Sequence, residues 1–220
     1  MIELYHCTDT RSFRVLWALE ELRVDYALKM LPFPPRVRAK HFLASNPLGT
    51  VPLLVDGGTR LTESAAILHY LATRYGPSSL AVTADEAGYG DYLNGLHYGE
   101  ATLTFPQTIV LRYGRFEPSE RRLAQAVEDY SAWFGARLRL LEARLVDHEF
   151  AAADRFTMAD ISIGYALKLA HFSGLAELLP QSLAEYWARL EARDGYRRAM
   201  TAQAREAEAQ LGEASKDVRA

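Results

Sequence analysis

Val51-Pro52-Leu53-Leu54-Val55-Asp56-Gly57-Gly58-Thr59-Arg60-Leu61 reads as a strand, a tight turn and a return strand. Asp56-Gly57-Gly58 supplies the positive-φ positions that a short hairpin needs. Downstream, Leu61-Thr62-Glu63-Ser64 opens a helix from Ala65 to Tyr75, whose Ile67, Leu68, Leu71 and Tyr75 fall on one face. Upstream, Ile2 to His6 reads as a strand. Phe13 to Leu22 follows as a helix, with Phe13, Leu16, Leu19 and Leu22 three apart. Asp25 to Met30 is a second strand, and Pro32, Pro34 and Pro35 mark a loop before the hairpin. The order is βαβ, then ββα. It predicts a small α/β unit in which a parallel crossover precedes an antiparallel hairpin.

Gly76-Pro77-Ser78-Ser79 breaks this pattern, and Ala81 to Asp85 reads as a linker. Beyond it no strand is expected. Residues 86–113, 119–146, 157–172 and 182–210 carry helical periodicity, and the polar tail after Gly212 is expected to fray. The chain therefore divides into an α/β domain, 1–78, and an all-helical domain, 86–220. Thr157-Met158-Ala159-Asp160 has the form of a capping box, with Asp160 in place of the usual Glu.

Composition narrows the function. With 25 Lys plus Arg against 28 Asp plus Glu, the 220 residues carry a net charge of −3, which argues against nucleic acid as a partner. No uncharged stretch reaches the ~20 residues that a membrane-spanning helix requires, and Ala101 to Leu111 is about half that length. The start has neither a basic segment nor a long apolar core, so no signal peptide is read and a cytoplasmic location is expected. The single cysteine, Cys7, excludes an internal disulfide and a Cys-rich zinc site, and the six histidines show no metal-binding spacing.

The loop His6-Cys7-Thr8-Asp9-Thr10-Arg11-Ser12 lies between the first strand and the first helix. Its hydroxyls and carboxylate are ordinary helix caps, and the same groups at a helix start also suit an anion. Val51 before Pro52, if that bond is cis, would present its backbone to an extended peptide, as an added strand does. Ser64 at a helix start can hold a carboxylate, and Glu63 beside it can pair with an ammonium. A short peptide with an amino-acid head fits all three.

Three segments of the first domain resemble the glutathione transferase superfamily: Ser12 to Leu22, Asn46 to Pro52, and Leu61 to Leu71. Phe156 to Ser162 resembles it in the helical region. The resemblance implies a thioredoxin-like α/β domain followed by an all-α helical bundle, in a homodimer, with glutathione as co-substrate and no metal. It implies that Val51 and Pro52 bind the cysteinyl part of glutathione, and Glu63 and Ser64 its γ-glutamyl end. It also places a helix bearing Tyr98, Thr102, Phe105, Ile109 and Tyr113 beside the pocket for a hydrophobic electrophile, although core packing explains the same residues.

Such chemistry begins with a thiolate. A free thiol has a pKa of about 8.5. Lowering it by two units takes about 2.7 kcal/mol. One hydroxyl donating to the anion contributes about 1.5–3 kcal/mol, and a helix start about 0.3–1. Asp9 falls where many classes carry a catalytic Ser or Cys, and an aspartate there would repel a thiolate. Thr10, one step later, matches the first Ser of a Ser-Arg-Ser loop in a bacterial and fungal subgroup, here Thr10-Arg11-Ser12. Thr10 is the first candidate for the activating hydroxyl, with Ser12 and Tyr5 behind it. Cys7 could instead form a mixed disulfide, but it lies two positions before the family's cysteine slot and reads equally as a small hydrophobe. The resemblance leaves three activities open: conjugation to electrophiles, a specialised glutathione-dependent lyase, isomerase or dehalogenase reaction, and non-catalytic ligand binding.

Overall fold

The computed structural model describes the backbone of residues 1–217 and the side chains through Gln210. Four strands form one mixed sheet in the order β2-β1-β3-β4. β1 (Ile2–His6) pairs in parallel with β2 (Tyr26–Met30) and antiparallel with β3 (Leu53–Asp56), which pairs antiparallel with β4 (Thr59–Leu61). Asp56 lies opposite Thr59, so Gly57-Gly58 is a two-residue turn, and Gly57 takes the positive φ that the sequence called for. The parallel crossover is α1 (Ser12–Leu22), and α3 (Ser64–Arg74) follows the hairpin.

The Pro-rich loop contains more regular structure than expected. Pro35 starts a one-turn helix, α2 (Pro35–Arg38), at the position where its missing N–H costs nothing, and a 3₁₀ turn spans Lys40–Ala44. Asn46 is buried and closes the next turn: its amide donates to the Thr50 carbonyl at 2.8 Å, and its side-chain oxygen accepts from Leu48 N–H. Gly49 has a φ of +61°, and a Cβ there would lie 2.7 Å from Arg36 Cβ.

Two compact units result. One is Met1–Gly76 together with the last helix, α9 (Asp194–Asp217); the other is Pro77–Glu191. The sequence division into 1–78 and 86–220 put that helix in the helical domain, as part of a single segment 182–210. The segment breaks at Ala192-Arg193 into α8 (Gln181–Glu191) and α9. α9 packs on α1: Tyr196 meets the rings of Phe13 and Trp17 edge-on, Arg193 forms a two-point pair with Glu21, and Arg198 pairs with Glu20. Beyond Gly212 the backbone is helical to Asp217, and the side chains there lie outside the described residues.

The second unit is helical, as read. Its helices are α4 (Tyr89–His97), α5 (Phe105–Leu111), α6 (Ala124–Leu145), α7 (Met158–Ser173) and α8. α7 is buried over most of its length, and α4 and the turn after it approach it closely where Gly95 and Gly99 leave room for Ala159 and Ser162. The capping box forms: Thr157 Oγ1 accepts from Ala159 N–H, and Asp160 Oδ2 accepts from Thr157 N–H at 2.7 Å. Asp160 Oδ1 also takes Ala151 N–H and the Tyr186 hydroxyl, at 2.9 and 2.6 Å. Burial pushes this carboxyl upward, and these three donors and the Thr157 hydroxyl oppose that shift.

One periodic reading changes. π-helical turns at Tyr98–Thr104 and Arg112–Phe116 flank α5. Pro106 offers no N–H to the preceding turn, and i→i+5 bonding shifts the register. Tyr98, Thr102, Phe105, Ile109 and Tyr113 therefore do not form one face. Tyr98 is buried, Phe105 is exposed, and the other three are half-buried.

Candidate functional site

The alternation along β1 points Ile2, Leu4 and His6 into the core and leaves Tyr5 on the other face. His6 is fully buried at the end of the strand, where the loop to α1 begins. That loop does not cap the helix in the expected way. Arg11 occupies the cap position, and no side chain accepts from the first-turn amides of α1. The hydroxyls have other partners. Thr10 Oγ1 lies 2.9 Å from the Cys7 carbonyl and 2.8 Å from Ser12 Oγ. Ser12 Oγ lies 2.6 Å from His6 Nδ1 and also accepts a longer bond from Cys7 N–H. The three groups make a chain running inward, from half-exposed Thr10 through buried Ser12 to buried His6.

α9 completes the chain. Gln203 is buried and lies 3.0 Å from His6 Nε2. Its carbonyl oxygen accepts from Asp9 N–H at 2.9 Å, and its amide donates to the Asp9 carboxylate at 2.9 Å. Asp9 takes a left-handed backbone, φ +55°, which Asp tolerates better than most residues. Its carboxylate is thus turned toward Gln203, which gives it a structural role at the slot where it would repel a thiolate.

Of the other candidates, Tyr5 packs on Phe42 with ring centres 5.2 Å apart, in a cluster with Leu31, Ala39, Leu53 and Cys7. Cys7 is fully buried there, and burial pushes its thiol up to about 12. A thiol so held is protonated, which weighs against mixed-disulfide chemistry. The Val51–Pro52 bond is cis, with Val51 half-buried just ahead of β3. Glu63 is exposed at the cap position of α3 and makes no cap bond. Ser64, the first residue of α3, is buried and accepts from the buried guanidinium of Arg14 at 3.3 Å. Its hydroxyl hydrogen is then available to a carboxylate.

In the helical unit, the Tyr98 hydroxyl donates to the Arg137 carbonyl on α6. Burial pushes that phenol up to about 12, so Tyr98 serves the core. Thr102 is half-buried, Phe105 meets Tyr130 edge-on, and Tyr113 lies under the Arg112 guanidinium. Among the described residues, no group of three or more His, Cys, Asp or Glu side chains is placed to hold a metal, and no helix is long and apolar enough to cross a membrane. A groove of about 770 Å³ between β2 and α9 shares no residue with the loop, and its Glu20 and Arg198 are paired with each other.

His6, Gln203 and Arg14 were not singled out from the sequence. The signal for His6 was its inward phase on a strand of Ile2 and Leu4. Gln203 stands beside buried Ala199 and Ala202, a polar residue on an apolar helix face.

Residues 10–74 match the family described as Glutathione S-transferase, N-terminal domain. Over 103 residues the chain is 39% identical to glutathione S-transferase 3 of Schizosaccharomyces pombe, a match that takes in 47% of this chain and 43% of that protein. The chain thus spans less than half the length of that relative. Glutathione S-transferase 4 of Zea mays is 30% identical over 187 residues, 82% of each chain. The crystal structure of a glutathione transferase from Methylococcus capsulatus superposes with a TM-score of 0.78 at 25% identity, over 93% of this chain and 99% of that one.

Proposed function

Because the chain belongs to the glutathione S-transferase family, we propose that it binds glutathione, holds its sulfur as a thiolate, and adds that sulfur to hydrophobic electrophiles. The observation that carries this reading is Thr10: a half-exposed hydroxyl at the start of α1, braced from behind by the buried Ser12 hydroxyl. A hydroxyl donating to a thiolate contributes about 1.5–3 kcal/mol, most of what two units of acidification require. Ser12 supports Thr10 from inside the fold. Tyr5 is the weaker candidate, since its ring is engaged with Phe42.

The γ-glutamyl end fits α3. Its first turn has no side-chain cap, so its amides and the Ser64 hydroxyl suit a carboxylate, and exposed Glu63 suits the ammonium. Val51 offers its backbone to the cysteinyl residue, with Pro52 fixing the approach to β3. Thr102, Phe105 and Tyr113 are the remaining candidates for contact with the electrophile. A cytoplasmic homodimer acting on small hydrophobic electrophiles completes the proposal, on the strength of family membership.

Calorimetric titration with glutathione tests the binding, and conjugation of glutathione to a chloronitrobenzene tests the chemistry. We expect saturable binding in the micromolar to millimolar range, a Ser64→Ala variant that binds about tenfold more weakly, and measurable conjugation. The absence of heat and of saturation at millimolar glutathione overturns the proposal.

A further inference from the structure

Resting on that reading, we infer that His6 receives the proton of the glutathione thiol, through Thr10 and Ser12. The directions of the hydrogen bonds carry the inference. Gln203 accepts from Asp9 N–H with one side-chain atom and donates to the Asp9 carboxylate with the other, which fixes which atom is oxygen. That oxygen faces His6 Nε2, so Nε2 bears a hydrogen. In neutral His6, Nδ1 is then an acceptor, and at 2.6 Å the Ser12 hydroxyl donates to it. Ser12 Oγ is left to accept, and the Thr10 hydroxyl, 2.8 Å away, can donate inward to it or to the Cys7 carbonyl. In this state Thr10 has no hydrogen to offer a sulfur.

A thiol arriving at Thr10 reverses every bond of the chain. The S–H bond breaks and its proton joins Thr10 Oγ1. The Thr10 hydrogen passes to Ser12 Oγ, and the Ser12 hydrogen to His6 Nδ1. Thr10 now donates to the thiolate, Ser12 to Thr10, and His6 to Ser12. No atom has moved except hydrogen. The imidazolium is held by Gln203, whose amide links it to the Asp9 carboxylate. When the thiolate attacks, the C–S bond forms, the leaving group departs with its electron pair, and His6 returns its proton to water through Ser12 and Thr10.

The surrounding charges fit this assignment. Asp9 is the carboxylate tied to His6 through Gln203, and the neighbouring Cys7 thiol stays protonated. Arg14 on α1 is engaged with Ser64, and Lys29 on β2 with Glu3. On α9, Arg198 and Arg205 pair with Glu20 and Glu206. His6 touches neither substrate; it is a positioning residue that sets where the Thr10 hydrogen points.

The test is the pH titration of enzyme-bound thiolate, followed by its ultraviolet absorbance. His6→Asn and Ser12→Ala should each move that titration upward by about one unit or more, leaving roughly tenfold less thiolate at neutral pH. Both should bind S-methylglutathione within about twofold of wild type, since an exposed contact that is kept changes affinity little. Ser12→Thr should restore the titration. Nuclear magnetic resonance of isotope-labelled histidine in the wild-type protein gives a readout that survives a folding failure of either variant. Glutathione should turn His6 from the neutral Nε2–H form to the imidazolium, and S-methylglutathione should not. An unshifted thiolate titration in a folded variant, or a neutral His6 in the glutathione complex, overturns the relay alone. Failure of S-methylglutathione to bind the wild-type protein removes the proposed function and the relay together.

Discussion

Both units bury a polar network at the start of a helix, and the two networks have opposite ends. At α7, Asp160 collects donors from Thr157, Ala151 and Tyr186, all fixed within the unit, so the carboxylate is closed off. At α1, the groups run from His6 through Ser12 to Thr10, and the last of them is half-exposed. A closed network can only stabilise. An open one ends in a group that a partner from outside can reach. The family-like segments Phe156 to Ser162 and Ser12 to Leu22 therefore do different work, although both mark a helix N-terminus.

The largest expected effect lies at the closed end. Asp160→Ala removes half of the capping box and strands Ala151 N–H and the Tyr186 hydroxyl in the core. A lost cap costs about 1 kcal/mol, and a buried unmatched donor about 1–3. Destabilisation of roughly 3–4 kcal/mol should appear in urea unfolding. The folded fraction should still bind glutathione with wild-type affinity. A change below about 1 kcal/mol would break the comparison, because it would mean that the buried carboxylate is not the hub of its unit.

The open end predicts the reverse pattern. Thr10→Val keeps shape and removes the hydroxyl, so conjugation should fall roughly 10–100-fold, the equivalent of a bond of about 1.5–3 kcal/mol to a charged group. Stability should change by less than about 1 kcal/mol, because Thr10 is half-exposed. Thr10→Ser should retain activity. An unchanged rate and pH profile in Thr10→Val would hand the role to Ser12, Tyr5 or the loop amides.

The contrast also explains how much could be read in advance. The hairpin, the crossover and the capping box are local: Asp56-Gly57-Gly58 and Thr157 to Asp160 each contain the groups that satisfy one another within a few residues. The loop before α1 is different. Its carboxylate reads as a cap, because the partner that Asp9 takes instead is Gln203, 194 positions away, on a helix whose register with α1 no local pattern fixes. The periodicity from Tyr98 to Tyr113 changes for another reason. A uniform helical period would run through Pro106, and the π turns on both sides of α5 shift the phase. Tyr98, where the first of these turns begins, lies in the core.

Asp56 sharpens the comparison from within the first unit. Tyr75 and Tyr70 donate to one oxygen of its carboxylate at 2.7 and 2.8 Å, and the Tyr75 bond foremost holds that carboxyl below the usual range. This is a carboxylate hub like that at Asp160, but near the surface. With the folded pKa depressed, its contribution to stability is present above about 3.9, the unfolded value, and is lost as pH falls below it. Solvent screening limits the contribution to about 0.5–1 kcal/mol. Asp56→Asn should flatten the acid limb of the stability curve by that amount and leave conjugation unchanged. An acid limb identical to wild type would show that the tyrosines hold the turn without help from the charge.

The smallest effect is expected at Cys7, the nucleophile nearest the open chain. It is two residues from Asp9 and its carbonyl faces the Thr10 hydroxyl, so proximity alone would enlist it. Burial argues the other way. A thiol pushed up to about 12 is almost wholly protonated at neutral pH, and it is buried in a cluster with Leu31, Phe42 and Leu53. The native protein should resist a thiol reagent until it unfolds. Cys7→Ala should change conjugation by less than about twofold, because the side chain contributes only packing. Rapid modification of the native protein, with loss of glutathione-dependent disulfide reduction in Cys7→Ala, would move the chemistry from the hydroxyl to the thiol. The first unit would then hold its reactive group in the core, and the difference between an open and a closed network would no longer separate function from folding.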